Sequence, residues 1–133
     1  MTRLLLHACC APCSLEPVRL LCEEGFEPTI CWTNPNIQPV EEHDRRLTEL
    51  RRWCAVEGIP LIEAEEDAAR WERSVAPIGA EARERRCRAC YAMRLAEACH
   101  VAEREGFTHI ATTLAVSPYQ LFELCNEVLC RLA

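Results

Sequence analysis

Lysine is absent from this 133-residue chain: all fifteen basic residues are arginines, set against twenty-one acidic ones for a formal net charge of -6. That balance excludes a protein that coats nucleic acid through bulk positive charge. No run approaches the ~20 consecutive apolar residues that cross a bilayer, although half of the residues are hydrophobic. The N-terminal residues carry no signal-peptide pattern, so a soluble, cytoplasmic chain is expected. Internal repeats and low-complexity tracts are missing too. The length suits one domain, residues 1–133, with a modest core.

Cysteine, by contrast, is abundant. Eleven cysteines in an exported mini-protein would be read as a disulfide framework, but the count is odd and no export signal is visible. Thiols kept reduced point instead to metal ligation or redox work. Three of them crowd the segment His7-Ala8-Cys9-Cys10-Ala11-Pro12-Cys13, just after the apolar run Leu4-Leu5-Leu6. A second pair, Cys87-Arg88-Ala89-Cys90, has the C-x-x-C spacing that lets one turn of backbone aim two sulfurs at one metal or cluster.

The arginines also cluster, at Arg45-Arg46, at Arg51-Arg52 and around the second thiol pair at Arg83, Arg85, Arg86 and Arg88. Guanidinium forks suit phosphate, which keeps local RNA contact open. Spacing alone favours solvated helix faces paired with Glu41, Glu42, Glu49, Glu81 and Glu84.

Four short segments rich in apolar or β-branched residues read as strands: Arg3 to His7, Glu27 to Trp32, Pro60 to Ala64 and His109 to Thr113. Helical patterns lie between them. Ser14 to Glu24 reads as a helix with Ser14 as N-cap and Gly25 as stop, and Val40 to Val56 as one ended by Gly58. Asp67 to Trp71 reads as a short turn or helix, and Arg85 to Glu105 as a long helix stopped by Gly106. Residues 76–80 are the candidate mobile connection. Alternating strands and helices predict an α/β fold, a parallel sheet covered on both faces in three layers. Ligands of such sheets sit at the carboxyl ends of the strands. The first thiol cluster, Trp32 to Asn36, and Thr112 through Tyr119 all fall at that edge.

Cys9, Cys10, Cys87 and Cys90 supply four thiolates, the number that a structural zinc or an iron-sulfur cluster takes. Spacing does not separate the two. Cys87 and Cys90 fall i, i+3 on one helical face near a helix start, where the dipole favours thiolates. Cys13 and His7 are spare donors; Cys13 is open to an iron-ligand, helix-capping or redox role. Cys22, Cys31, Cys54, Cys99, Cys125 and Cys130, scattered in apolar patterns, read as small buried hydrophobes. His43 and His100 read as surface residues, and Tyr91 either as a proton donor or as a ring wedged against the core.

In order along the chain, HACCAPCS (7–14), NPNI (34–37), Glu42-His43 with Arg46, RCRACYAMRL (86–95) and TTLAVSPYQ (112–120) resemble the QueH-type epoxyqueuosine reductases. The resemblance implies a Rossmann-like, adenine-nucleotide-hydrolase-like (HUP-type) scaffold. It implies a 4Fe-4S cluster held by Cys9, Cys10, Cys87 and Cys90. The activity it implies is an oxidoreductase that converts epoxyqueuosine in tRNA to queuosine, the last step of queuosine biosynthesis, with an unidentified electron donor and no membrane.

Two departures stand out. The family often has Glu-Tyr where this chain has Glu42-His43. Family members also continue beyond the position of Ala133 to a C-terminal Cys-x-Cys regarded as redox-active, so the resemblance leads one to expect a scaffold incomplete at its C-terminus. Such a chain is expected to hold a cluster, to reduce epoxyqueuosine poorly and to associate through residues 121–132.

Deoxygenating an epoxide takes two electrons, and a 4Fe-4S cluster normally passes one at a time. A second, mononuclear iron or a thiol pair is therefore expected to help hold the second electron or take the oxygen. An iron near Cys13, or the cluster itself, is expected to bind the epoxide oxygen, with Tyr91 or Ser117 delivering a proton. Two rival functions remain. One is a PP-loop-type nucleotide-binding protein, disfavoured because the loop after strand one lacks the Ser-Gly-Gly character that close approach to phosphate needs. The other is a non-catalytic zinc- or RNA-binding fragment.

Overall fold

A computed structural model describes residues 2–116 and 122–132 of the chain. Its sheet has four strands, β1 (Thr2–His7), β2 (Phe26–Trp32), β3 (Leu61–Glu63) and β4 (Ile110–Thr112), in the order β3-β2-β1-β4. All three pairings are parallel, with His7 opposite Cys31 on one side and Thr112 on the other. The chain steps outward from β1 to β3, then returns to add β4 on the far side of β1. That reversal puts a crevice beyond the carboxyl ends of β1 and β4, the place where open α/β sheets bind ligands.

Side chains alternate across the sheet with period two, so each strand feeds both faces. Leu4, Leu6, Ile30 and Trp32 pack on one side with Leu47, Leu50 and Cys54 of helix α2 (Val40–Glu57) and Val18 of α1 (Ala11–Glu23). Leu5 and Cys31 pack on the other with Ala98, Val101 and Ala102 of α4 (Arg83–Arg104). The short α3 (Ala68–Ser74) precedes α4, and α5 (Phe122–Leu132) follows β4. A third apolar cluster joins Tyr91 and Leu95 of α4 to Leu114 and Val128. The structure is thus α/β, with helices on both faces of a parallel sheet, as expected.

Three helix boundaries differ from the sequence reading. The first helix begins at Ala11 with Pro12 in its opening turn and Cys10 as N-cap, so Ser14 does not cap it. Proline's fixed φ and missing N–H suit a first turn, and Ser14 Oγ instead donates back to Cys10 O at 2.8 Å. Helix α3 runs on to Ser74, capped by the Asp67 side chain, which accepts from Arg70 N at 2.8 Å. Helix α4 starts two residues early, at Arg83. In the connection 76–80, Ala76 N donates to Trp71 O and Ile78 N to Val75 O.

Candidate metal centre

Where β1 ends, the extended backbone of Cys10, φ -171° and ψ 166°, turns the chain into α1. That turn gathers the Cys9, Cys10 and Cys13 sulfurs within 4.8 Å of one another, the one such group of three donors among the described residues. Cys10 and Cys13 converge because they lie a single helical turn apart. Cys9 is fixed from the β4 side: its N–H donates to Thr113 Oγ1 at 3.3 Å, and its sulfur lies 3.8 Å from the same hydroxyl. The Cys9 thiol donates to Cys10 Sγ at 4.0 Å. This contact, then burial, raises the Cys9 thiol well above the usual range, and the same contact lowers that of Cys10. Burial raises Cys13.

His7 does not serve as a spare donor. It is fully buried, and its Nε2 lies 3.1 Å from Thr33 O while Nδ1 lies 3.0 Å from Thr112 Oγ1. A carbonyl only accepts, so Nε2 carries the proton and Nδ1 accepts from the threonine. Thr112 Oγ1 in turn accepts from Leu114 N at 3.2 Å. Burial and then the nearby Arg94 charge push His7 down to about 3, so it is the neutral pin joining the ends of β1, β2 and β4.

The loop after β2 carries the second part of the site. Asn34, fully buried, donates from Nδ2 to Ala8 O at 2.9 Å and accepts Arg94 Nη2 on Oδ1 at 2.7 Å. One side chain therefore ties the first thiol loop to α4. Glu66, after β3, holds this loop in place: its carboxylate accepts Asn34 N at 2.6 Å, Trp32 Nε1 at 3.2 Å and His43 Nε2 at 2.9 Å.

Cys87 and Cys90 arrive on α4. Because the helix starts at Arg83, neither lies in its first turn, beyond which the dipole falls off. Cys87 packs against the same apolar cluster as Cys9. Cys90 Sγ instead receives two side-chain N–H groups, Trp71 Nε1 at 3.4 Å and Arg94 Nη1 at 3.9 Å. Arg94 is only 4% exposed and lines a cavity of about 380 Å³ together with Cys9, Cys10, Cys13, Asn36 and Arg46. Two buried polar atoms here, Arg94 Nε and Asn36 Oδ1, have no hydrogen-bond partner among the described residues. A buried guanidinium facing sulfurs rather than a carboxylate calls for negative charge on those sulfurs. Soft thiolate donors beside such a cation suit zinc or an iron-sulfur cluster.

A family model, Epoxyqueuosine reductase QueH, matches residues 4–133. The chain belongs to this family. Its QueH relatives include the Epoxyqueuosine reductase QueH of Haemophilus influenzae, 37% identical over 119 residues, which are 89% of this chain and 49% of that protein. The namesakes of Acinetobacter baylyi and Dehalococcoides mccartyi are each 35% identical, over 94% and 89% of this chain and 58% and 63% of theirs. The chain therefore spans about half to two-thirds of the length of these QueH proteins.

Of the residues singled out in the sequence, Cys9, Cys10 and Cys13 meet at one point, and Tyr91 lies near them, 2% exposed within the apolar cluster that Cys9 and Cys87 border. Ser117 lies outside the described residues. Three of the four arginines of α2 are taken up by carboxylates: Arg45 by Glu42 and Glu49, Arg46 by Glu42, and Arg51 by Glu63. Sequence reasoning missed Glu66 and Trp71. Their signal was positional only, Glu66 following β3 at the ligand edge and Trp71 lying one short helix before the second thiol pair. No helix among the described residues is long and apolar enough to cross a membrane.

Proposed function

We propose that this chain, as residues 1–133 of one HUP-type domain, is an epoxyqueuosine reductase that binds tRNA and converts epoxyqueuosine to queuosine. The observation that carries the reading is the meeting of three thiols at the crevice of the sheet, beside a buried arginine that reaches the sulfur of a C-x-x-C pair. Family membership agrees with it.

In this reading Cys9, Cys10, Cys87 and Cys90 hold a 4Fe-4S cluster, which supplies electrons singly when bound. Arg94 provides the positive charge that balances the thiolates, and Asn34 keeps the two thiol loops in register. Cys13 is the additional sulfur in the cavity, available to a second, mononuclear iron or as a redox thiol. The net change adds two electrons and two protons to the epoxide, leaving an alkene and water. Tyr91 and Ser117 are assigned to proton delivery. An unidentified donor supplies the electrons, and Asn36 Oδ1 is an acceptor for a donor group of the substrate in the cavity.

The test is an anaerobic incubation of the iron- and sulfide-reconstituted chain with a strong chemical reductant and tRNA that carries epoxyqueuosine. Nucleosides from the digested tRNA are then weighed by mass spectrometry. Queuosine should accumulate, though slowly. Unchanged epoxyqueuosine in the presence of a fully loaded chain would contradict the activity.

A further inference from the structure

The four thiols assigned to the cluster do not have equivalent surroundings. Cys87 faces apolar side chains, Cys9 meets the Thr113 hydroxyl, and Cys10 has the backbone N–H of Cys13. Cys90 Sγ receives two N–H donors, from Trp71 and Arg94, which approach from different helices. Both donors are buried, Trp71 at 8% exposure and Arg94 at 4%. Hydrogen bonds to ligand sulfurs withdraw electron density from the metal and stabilise the reduced state, and they act more strongly where water is excluded.

We infer that Trp71 and Arg94 are positioning residues that set the reduction potential of the centre through Cys90 Sγ. This rests on the proposed cluster and extends it: Cys90 is the sulfur reached by two side-chain N–H groups, with α3 folded so as to bring in an indole N–H. The Asp67 cap and the hydrogen bond from Val75 N to Trp71 O at 2.8 Å fix that short helix. Arg94 is fixed by Asn34. Trp71 and Arg94 both act through the sulfur.

Trp71→Phe removes the N–H while leaving an aromatic ring in the same apolar setting. The readout is the midpoint potential of the reconstituted chain, taken from an anaerobic redox titration followed by paramagnetic resonance. Trp53→Phe on α2 is the control. Trp71→Phe should keep its iron and sulfide and become harder to reduce by about tenfold in the equilibrium constant, ~59 mV for one electron, while Trp53→Phe should match wild type. An unmoved or more positive potential in a fully loaded Trp71→Phe protein overturns the inference and leaves the cluster reading intact. A wild-type chain that takes up no iron and sulfide overturns both.

A second measurement does not depend on the variant folding. Isotopic labelling of the indole nitrogens in the wild-type chain should give a hyperfine coupling to the reduced centre, and its absence overturns the inference.

Discussion

At the scale of single residues, the cysteines divide by what surrounds them. Cys54 is buried in the apolar cluster under α2 and its thiol is pushed up to about 11, as befits a packing residue. Cys54→Ala and Cys99→Ala should therefore leave iron content unchanged, whereas alanine at Cys9, Cys10, Cys87 or Cys90 should sharply lower it, as read by iron and sulfide assay. Equal behaviour of the two sets would show the division to be wrong. Asn34 makes the other sharp residue-level prediction. Asn34→Ala leaves Arg94 Nη2 and Ala8 O without partners in a buried place, so it should cost roughly 2–4 kcal/mol in denaturant unfolding; a loss within ~0.5 kcal/mol would contradict the tie.

His43 lies between Asp44 and Glu66, in a T-shaped contact with the Trp32 ring. Partial burial opposes its charge, but the two carboxylates outweigh that and raise its pKa above 6.5. A raised folded pKa means that the charged pairing stabilises the fold fully below the unfolded value and fades as pH rises through the folded one. The melting temperature of His43→Gln should thus lie below wild type at pH 6 and converge on it at alkaline pH; a gap that widens with pH would reverse the sign. The thiol spacings were legible in the sequence because they are local. The contact of Asn34 with Arg94 was not, since sixty positions separate the two and only the folded sheet brings them together.

At the scale of elements, β1 and β2 were readable because each carries a short apolar run that alternates between two covered faces. Helix ends were less so. Ser14 has the chemistry of a cap, yet Pro12 moves the start to Ala11, and this one-turn difference is what places Cys13 beside Cys10. The stop at Gly58 was visible, and it has φ of 70° with open space where a Cβ would stand. Gly58→Ala should then cost roughly 1 kcal/mol through backbone strain alone, with no change in iron content. Asp67→Ala should cost a similar ~1 kcal/mol by freeing the first turn of α3. Because α3 carries Trp71, that variant should also loosen the environment of Cys90. The indole fluorescence of a variant keeping only Trp71 would report it.

At the scale of the whole molecule, the strand order β3-β2-β1-β4 makes the site. It places the first thiol loop at the reversal of the sheet, with the loops after β2, β3 and β4 around it, and α4 brings the second pair across the other face. Alternation of strands and helices announced the fold class. The sheet order, and so which loops meet, lay beyond local patterning because it depends on packing between distant segments. The account stands or falls on whether the two thiol pairs, Cys9-Cys10 and Cys87-x-x-Cys90, serve one centre. The most direct measurement is metal and acid-labile sulfide analysis, with paramagnetic resonance of the reduced state, on the chain reconstituted under strict anaerobiosis. The account predicts about four irons and about four sulfides per chain, with both falling away when a cysteine of either pair is replaced by alanine. Tightly bound zinc without sulfide, or a full cluster that survives loss of Cys87 and Cys90, would contradict it.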